Sequence, residues 1–177
     1  VYFSLLILVG CNSSEEQVES SLDPIGGVVY GGVFRFMSKE KVQNLFPPAT
    51  LDVYSSRITS QIFEGLVRID PLTMDVIPSL AETMTVSEDG KVYTFRIRQN
   101  VYFTDDECFE GGKGRLLTAE DFKYSLEFAC SKHIMNEFSW LLVGKIQGAQ
   151  EYFDGNAASV SGIEVIDENT LVITLVE

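Results

Sequence analysis

Leu8-Val9-Gly10-Cys11 closes an apolar run that starts at Val1, and small residues followed by cysteine at such a boundary suit signal-peptide cleavage and acylation of the thiol. The pattern predicts residues 1–11 as the end of a lipoprotein signal peptide, with Cys11 lipidated as the mature N-terminus. Ten apolar or small residues fall short of the roughly 20 that a helix needs to cross a hydrocarbon core. The polar residues from Asn12 onward stop the run. The chain is therefore expected in the cell envelope, periplasmic or otherwise extracytoplasmic, held to a membrane through its lipid anchor. With no methionine or basic segment before Val1, and a final strand cut at Glu177, it reads as a fragment at both ends.

Other reactive residues carry weaker signals. With Cys11 lipidated, Cys108 and Cys130 are either a disulfide pair permitted by an oxidising envelope or two unrelated thiols, and spacing alone leaves both open. His133, the single histidine, follows Lys132 in a polar stretch without a neighbouring nucleophile signature and reads as a surface residue. No C-x-x-C or H-x-x-x-H spacing occurs, so neither a metal site nor a cofactor is expected. Asp105-Asp106-Glu107 offers paired carboxylates, but adjacent side chains point apart and the calcium-loop spacing is unmatched. The glycines around Lys113 lack the spacing of a phosphate cradle.

The elements that hold these residues come from composition and pattern. A formal charge of −13 over 177 residues disfavours nucleic acid, whose phosphates call for Lys and Arg. With 45% apolar residues and 12 Phe, a packed core is expected beyond a solvated tether over residues 12–30, leaving 31–177 as one domain. Gly31 to Phe36 reads as a first strand. A helix from about Asp52 to Gly65 is predicted to bury Ile58, Ile62, Phe63 and Leu66. Ile77 to Glu82 reads as a turn or a single helical turn. Thr83–Val86 and Tyr93–Arg98 flank Asp89-Gly90 as a hairpin, with Tyr93, Phe95 and Ile97 on the buried face. Val101–Phe103 is a further short strand, and 104–116 a long loop. Thr118 with Asp121 forms a capping box for a helix carrying Phe122, Leu126 and Ala129 inward. Residues 137–153 read as helical with breaks near Gly144 and Gly148. Ile163–Ile166 and Thr170–Val176 form a closing hairpin. The fold class is mixed α/β.

The ordered series Ile62-Phe63-Glu64-Gly65-Leu66-Val67, Ile77-Pro78-Ser79-Leu80-Ala81-Glu82, Val86-Ser87-Glu88-Asp89-Gly90, Tyr93 to Arg98, Val101-Tyr102-Phe103 and Leu117-Thr118-Ala119-Glu120-Asp121-Phe122 resembles the N-terminal part of the family 5 solute-binding proteins. These are the oligopeptide- and dipeptide-binding components of ABC importers. One departure is an insertion between Asp106 and Leu117, where the family usually reads Phe-His-Asp-Gly-x-Pro.

The resemblance implies a periplasmic-binding-protein-like lobe of type II, cluster C, present here as an incomplete N-terminal portion, with the second lobe beyond Glu177. It implies a monomer without catalytic activity that captures a peptide or similar small solute and delivers it to an ABC permease and ATPase. Asp52, Val53 and Tyr54 match the segment that lies against the ligand, and Trp140 falls near an aromatic position of the cleft, a core tryptophan being the plainer alternative. Three rivals stay open: the same fold with a nickel chelate, haem, sugar or opine as cargo, an envelope hydrolase using Asp105 and Asp106, and a structural lipoprotein.

Overall fold

The computed structural model describes Val33 and residues 35–176. The chain divides into two units, Val1–Met37 and Ser38–Glu177. The signal-peptide end, the lipidation site Cys11 and the tether at 12–30 lie outside the described residues. Of the expected first strand, Val33, Arg35 and Phe36 are described, and none is in a strand. Apolar and aromatic residues make a strand only where a neighbour completes the ladder.

The second unit is built on a four-stranded antiparallel sheet of order β3-β4-β6-β5, from β3 (Ala81–Val86), β4 (Val92–Ile97), β5 (Ile163–Asp167) and β6 (Thr170–Thr174). Its two hairpins lie side by side, so that the early β4 pairs with the late β6. Strand alternation sets the register: Met84, Phe95, Leu171 and Val165 stand in one cross-strand row, and Val86, Tyr93, Ile173 and Ile163 in the next. Phe95, Ile97, Ile163 and Leu171 are buried from this sheet, while Thr94 and Arg96 take the opposite face, as the alternation predicts. The β3–β4 turn closes on Gly90 at φ +74°, where Ser87 and Asp89 hold the reversal through their side chains.

Helix α2 (Ala119–Cys130) packs on β5 and β6, completing the core with Ala119 and Cys130, both fully buried. The expected inner residues Phe122 and Leu126 pack against this core, half-buried. The Ala119 N–H donates to Glu168 O in the β5–β6 turn at 2.8 Å, which fixes the start of the helix. The Asp121 carboxylate accepts from the Thr118 N–H at 2.9 Å and pairs through both oxygens with the Arg115 guanidinium. Burial alone pushes Asp121 up, but Arg115 and the Thr118 N–H outweigh it and hold the group below its ordinary 3.8. A depressed folded-state value contributes stability that is present above pH 3.8 and lost as pH falls through the folded value. Asp121→Asn is therefore expected to remove part of the acid-side loss of stability, measured as thermal midpoint between pH 6 and pH 3 against the parent.

Three further expectations are corrected. Ile77 to Glu82 is neither turn nor helix: β2 (Val76–Pro78) pairs with β1 (Val67–Ile69) in a small antiparallel ribbon, and β3 starts at Ala81. The Ser79 and Ala81 N–H groups both donate to Leu66 O and the Leu80 N–H to Gly65 O, so these hydrogen bonds go to the segment after α1 rather than within 79–81. Helix α1 (Val53–Ile62) exists, but its buried residues are Ser55 and Thr59, while Ile62 and Phe63 are 59% and 53% exposed. The Ser55 hydroxyl accepts from the N–H groups of Gln43 and Asn44, so the helix turns a polar side toward its own leading segment. Val101–Phe103 contributes a single bridge, Tyr102 to Leu116, rather than a strand. The breaks at Gly144 and Gly148 separate α3 (Ser139–Leu142) from α4 (Ala149–Phe153).

Candidate functional site

The segment 52–54 opens α1. Asp52 is its N-cap, with the carboxylate accepting from the Ser55 N–H at 2.8 Å. Hydrogen bonds from the Ser55 side chain and backbone hold Asp52 below the usual carboxylate range. Val53 is exposed and Tyr54 half-buried. A shallow hollow of about 280 Å³ lies against Asp52 and Val53 and is shared by Ser56, Arg57 and Ser60; Tyr54 and Trp140 do not line it. Arg57 escaped the sequence reading, although its place four residues after Val53 put both on one helix face.

Trp140 is the second residue of α3, and 70% of it is exposed, so it is no core tryptophan in this structure. Its segment and the lead-in to α1 meet: the Glu137 N–H donates to Pro48 O at 3.0 Å, and Phe46 meets Phe128 of α2 edge-on at 5.5 Å. The segments leading into Asp52 and Trp140 are thus anchored at the same end of α2.

The opposite end of α1 borders a larger hollow of about 560 Å³ lined mostly by apolar side chains, among them Ile62, Phe63, Tyr102, Phe103, Phe109 and Phe122. The inserted loop forms one wall. Asp105 binds Lys113 and the Gly114 N–H, Asp106 accepts from the Cys108 N–H, and Arg115 lies 4.8 Å from the Phe103 ring centroid. The two carboxylates therefore serve different partners within the loop and do not converge on a common point. His133 accepts the Met135 N–H at Nδ1 and leans on Phe128. Among the described residues no group of His, Cys, Asp or Glu could hold a metal ion, and no helix is long and apolar enough to cross a membrane.

In the structure Cys108 and Cys130 are not bonded to each other. Cys108 is exposed on the inserted loop and Cys130 buried at the end of α2, both free. Burial, with the Glu127 charge, pushes the Cys130 thiol up to about 11, while Asp106 raises Cys108. A thiol reagent at pH 8 is expected to label Cys108 in the native chain and Cys130 only after unfolding, read by peptide mass mapping; a linked Cys108–Cys130 peptide would contradict this.

Residues 75–177 match the model of the bacterial extracellular solute-binding proteins, family 5 Middle. The chain is 33% identical over 126 residues to the oligopeptide-binding protein AliB of Streptococcus pneumoniae, an alignment covering 70% of this chain and 18% of AliB. Among solved structures it superposes on a periplasmic oligopeptide-binding protein of Borrelia burgdorferi with a TM-score of 0.67 at 36% identity, over 76% of this chain and 25% of that one. The murein tripeptide binding protein MppA of Escherichia coli superposes with a TM-score of 0.66 at 27% identity, over 79% and 26%. The chain thus spans about a fifth to a quarter of the length of these relatives, and its fold is the matching part of theirs. With its family model covering more than half of the sequence, the chain belongs to the bacterial extracellular solute-binding proteins of family 5.

Proposed function

We propose that this chain is part of the substrate-binding component of an ABC importer, which captures oligopeptides in the cell envelope and passes them to a membrane permease and its ATPase. The observation that carries this reading is the likeness of both sequence and fold to oligopeptide-binding proteins, at 33% identity to AliB and at a TM-score of 0.67 to the Borrelia protein. Asp52, Val53, Tyr54 and Trp140 are the residues proposed to face the ligand. An extended peptide offers unpaired backbone C=O groups, which the N–H groups of the first turn of α1 can meet, and an exposed indole supplies an apolar surface for a side chain. Closure of a second lobe over the peptide gives a state that a permease can distinguish from the open one. The protein acts as a monomer, held to the membrane by lipid on Cys11.

Calorimetric titration of the full-length protein with tetraalanine tests the reading. Saturable binding in the micromolar range or tighter is expected, with Trp140→Ala weakening it about tenfold, or about 1.4 kcal/mol. Absence of binding by any peptide from two to eight residues would overturn it.

A further inference from the structure

Asn136 stands between the end of α2 and the segment bearing Trp140, and its side chain is fully engaged. Its Nδ2 donates to the carbonyls of Phe128, Ala129 and Ser131 at 3.2, 2.8 and 2.9 Å. Its Oδ1 accepts from the N–H of Phe138 at 3.3 Å, and its own N–H donates to His133 O at 2.9 Å. The last carbonyls of a helix have no partners within it, and a side chain that answers two of them together with the carbonyl of the C-cap residue Ser131 is held in one rotamer and one place. Phe138 is the residue that opens α3, so the same amide fixes where the Trp140 helix begins. The adjoining residue, Glu137, carries the bond to Pro48 and so to the lead-in of α1. One side chain therefore joins the end of α2, the start of α3 and, through its neighbour, the segment entering Asp52.

We infer that Asn136 is a positioning residue for ligand capture, setting the indole of Trp140 relative to the 52–54 segment without touching the ligand itself. This rests on the peptide-binding reading above. The bond between Glu127 Oε1 and the Val160 N–H, at 3.0 Å, supplies the control, because it also ties α2 to a distant segment, one that is not part of the lead-in to α3.

The test compares Asn136→Ala with Glu127→Ala in the full-length protein, reading the Trp140 indole N–H resonance without ligand, the thermal midpoint, and tetraalanine affinity. Both variants are expected to melt lower. Only Asn136→Ala is expected to move the indole resonance and to weaken tetraalanine binding, by about fivefold to tenfold. Should Asn136→Ala not fold, Asn136→Asp takes its place, keeping the acceptor for Phe138 and losing the donors. An indole resonance unmoved by loss of the amide, or moved equally by Glu127→Ala, would overturn the inference. The indole readout needs no ligand, so failure of wild-type protein to bind tetraalanine would count against the peptide reading alone, while a shifted indole would still support Asn136 as the residue that places Trp140.

Discussion

Ile97→Ala is expected to lower the stability of the Ser38–Glu177 unit by about 2–5 kcal/mol. Ile97 is fully buried at the end of β4, a central strand with β3 on one side and β6 on the other. Its backbone N–H donates to Asn169 O in the β5–β6 turn at 2.7 Å, the same turn whose Glu168 carbonyl holds the start of α2. A cavity here opens where sheet and helix are joined, and the main chain around it is committed to bonds that resist collapse into the space. Domains of this kind are stable by only about 5–15 kcal/mol in total, so the loss removes a large share. Urea denaturation checks it: the midpoint should fall with an unchanged slope. A shift under 1 kcal/mol would mean that Ile97 is not enclosed as described.

The second large effect is expected at Gly148, and it separates backbone conformation from steric clash. Gly148 and Gly90 have nearly the same positive φ, +75° and +74°. A Cβ on Gly90 meets nothing within 4 Å, whereas on Gly148 it would lie 2.3 Å from Ser161 Oγ and 2.8 Å from Ser161 N. The left-handed conformation costs an alanine about 1–2 kcal/mol at either site. At Gly148, overpacking adds about 1–3 kcal/mol, since the backbone of Ser161 cannot swing aside as a flexible side chain would. That backbone is tied in place: the Gly162 N–H donates to Gln147 O and the Thr174 N–H to Gly162 O, both at 2.8 Å. Gly148→Ala should therefore melt well below Gly90→Ala in calorimetry. Equal midpoints would contradict the close approach.

What was legible in the sequence was what short-range physics dictates. Asp89-Gly90 between alternating residues specified the β3–β4 hairpin, Thr118 with Asp121 marked the start of α2, and Gly144 and Gly148 marked where helix breaks. The failures have tertiary causes. The three-residue strands β1 and β2 are too short to show a period, and Pro78 favoured a turn reading. The apolar spacing of α1 pointed to a buried stripe, but burial depends on what packs alongside, and Ser55 met the leading segment instead. A lone aromatic carries no directional signal, so the sequence does not decide between cleft and core for Trp140; only the fold exposes it. Asn136 gave no motif at all, since its partners are main-chain carbonyls, which any sequence supplies. The family was readable because its motifs follow one another in order, and the match over residues 75–177 takes in all of them except Ile62 to Val67.

The most direct measurement of the central claim is photo-crosslinking of the full-length protein with a tetrapeptide bearing one photoreactive phenylalanine, mapped by mass spectrometry. Adducts on residues 52–54 and on the segment around Trp140, competed away by unlabelled tetraalanine, are the expected result. Adducts confined to the Phe103 and Phe109 hollow, or labelling that unlabelled peptide does not compete, would contradict it.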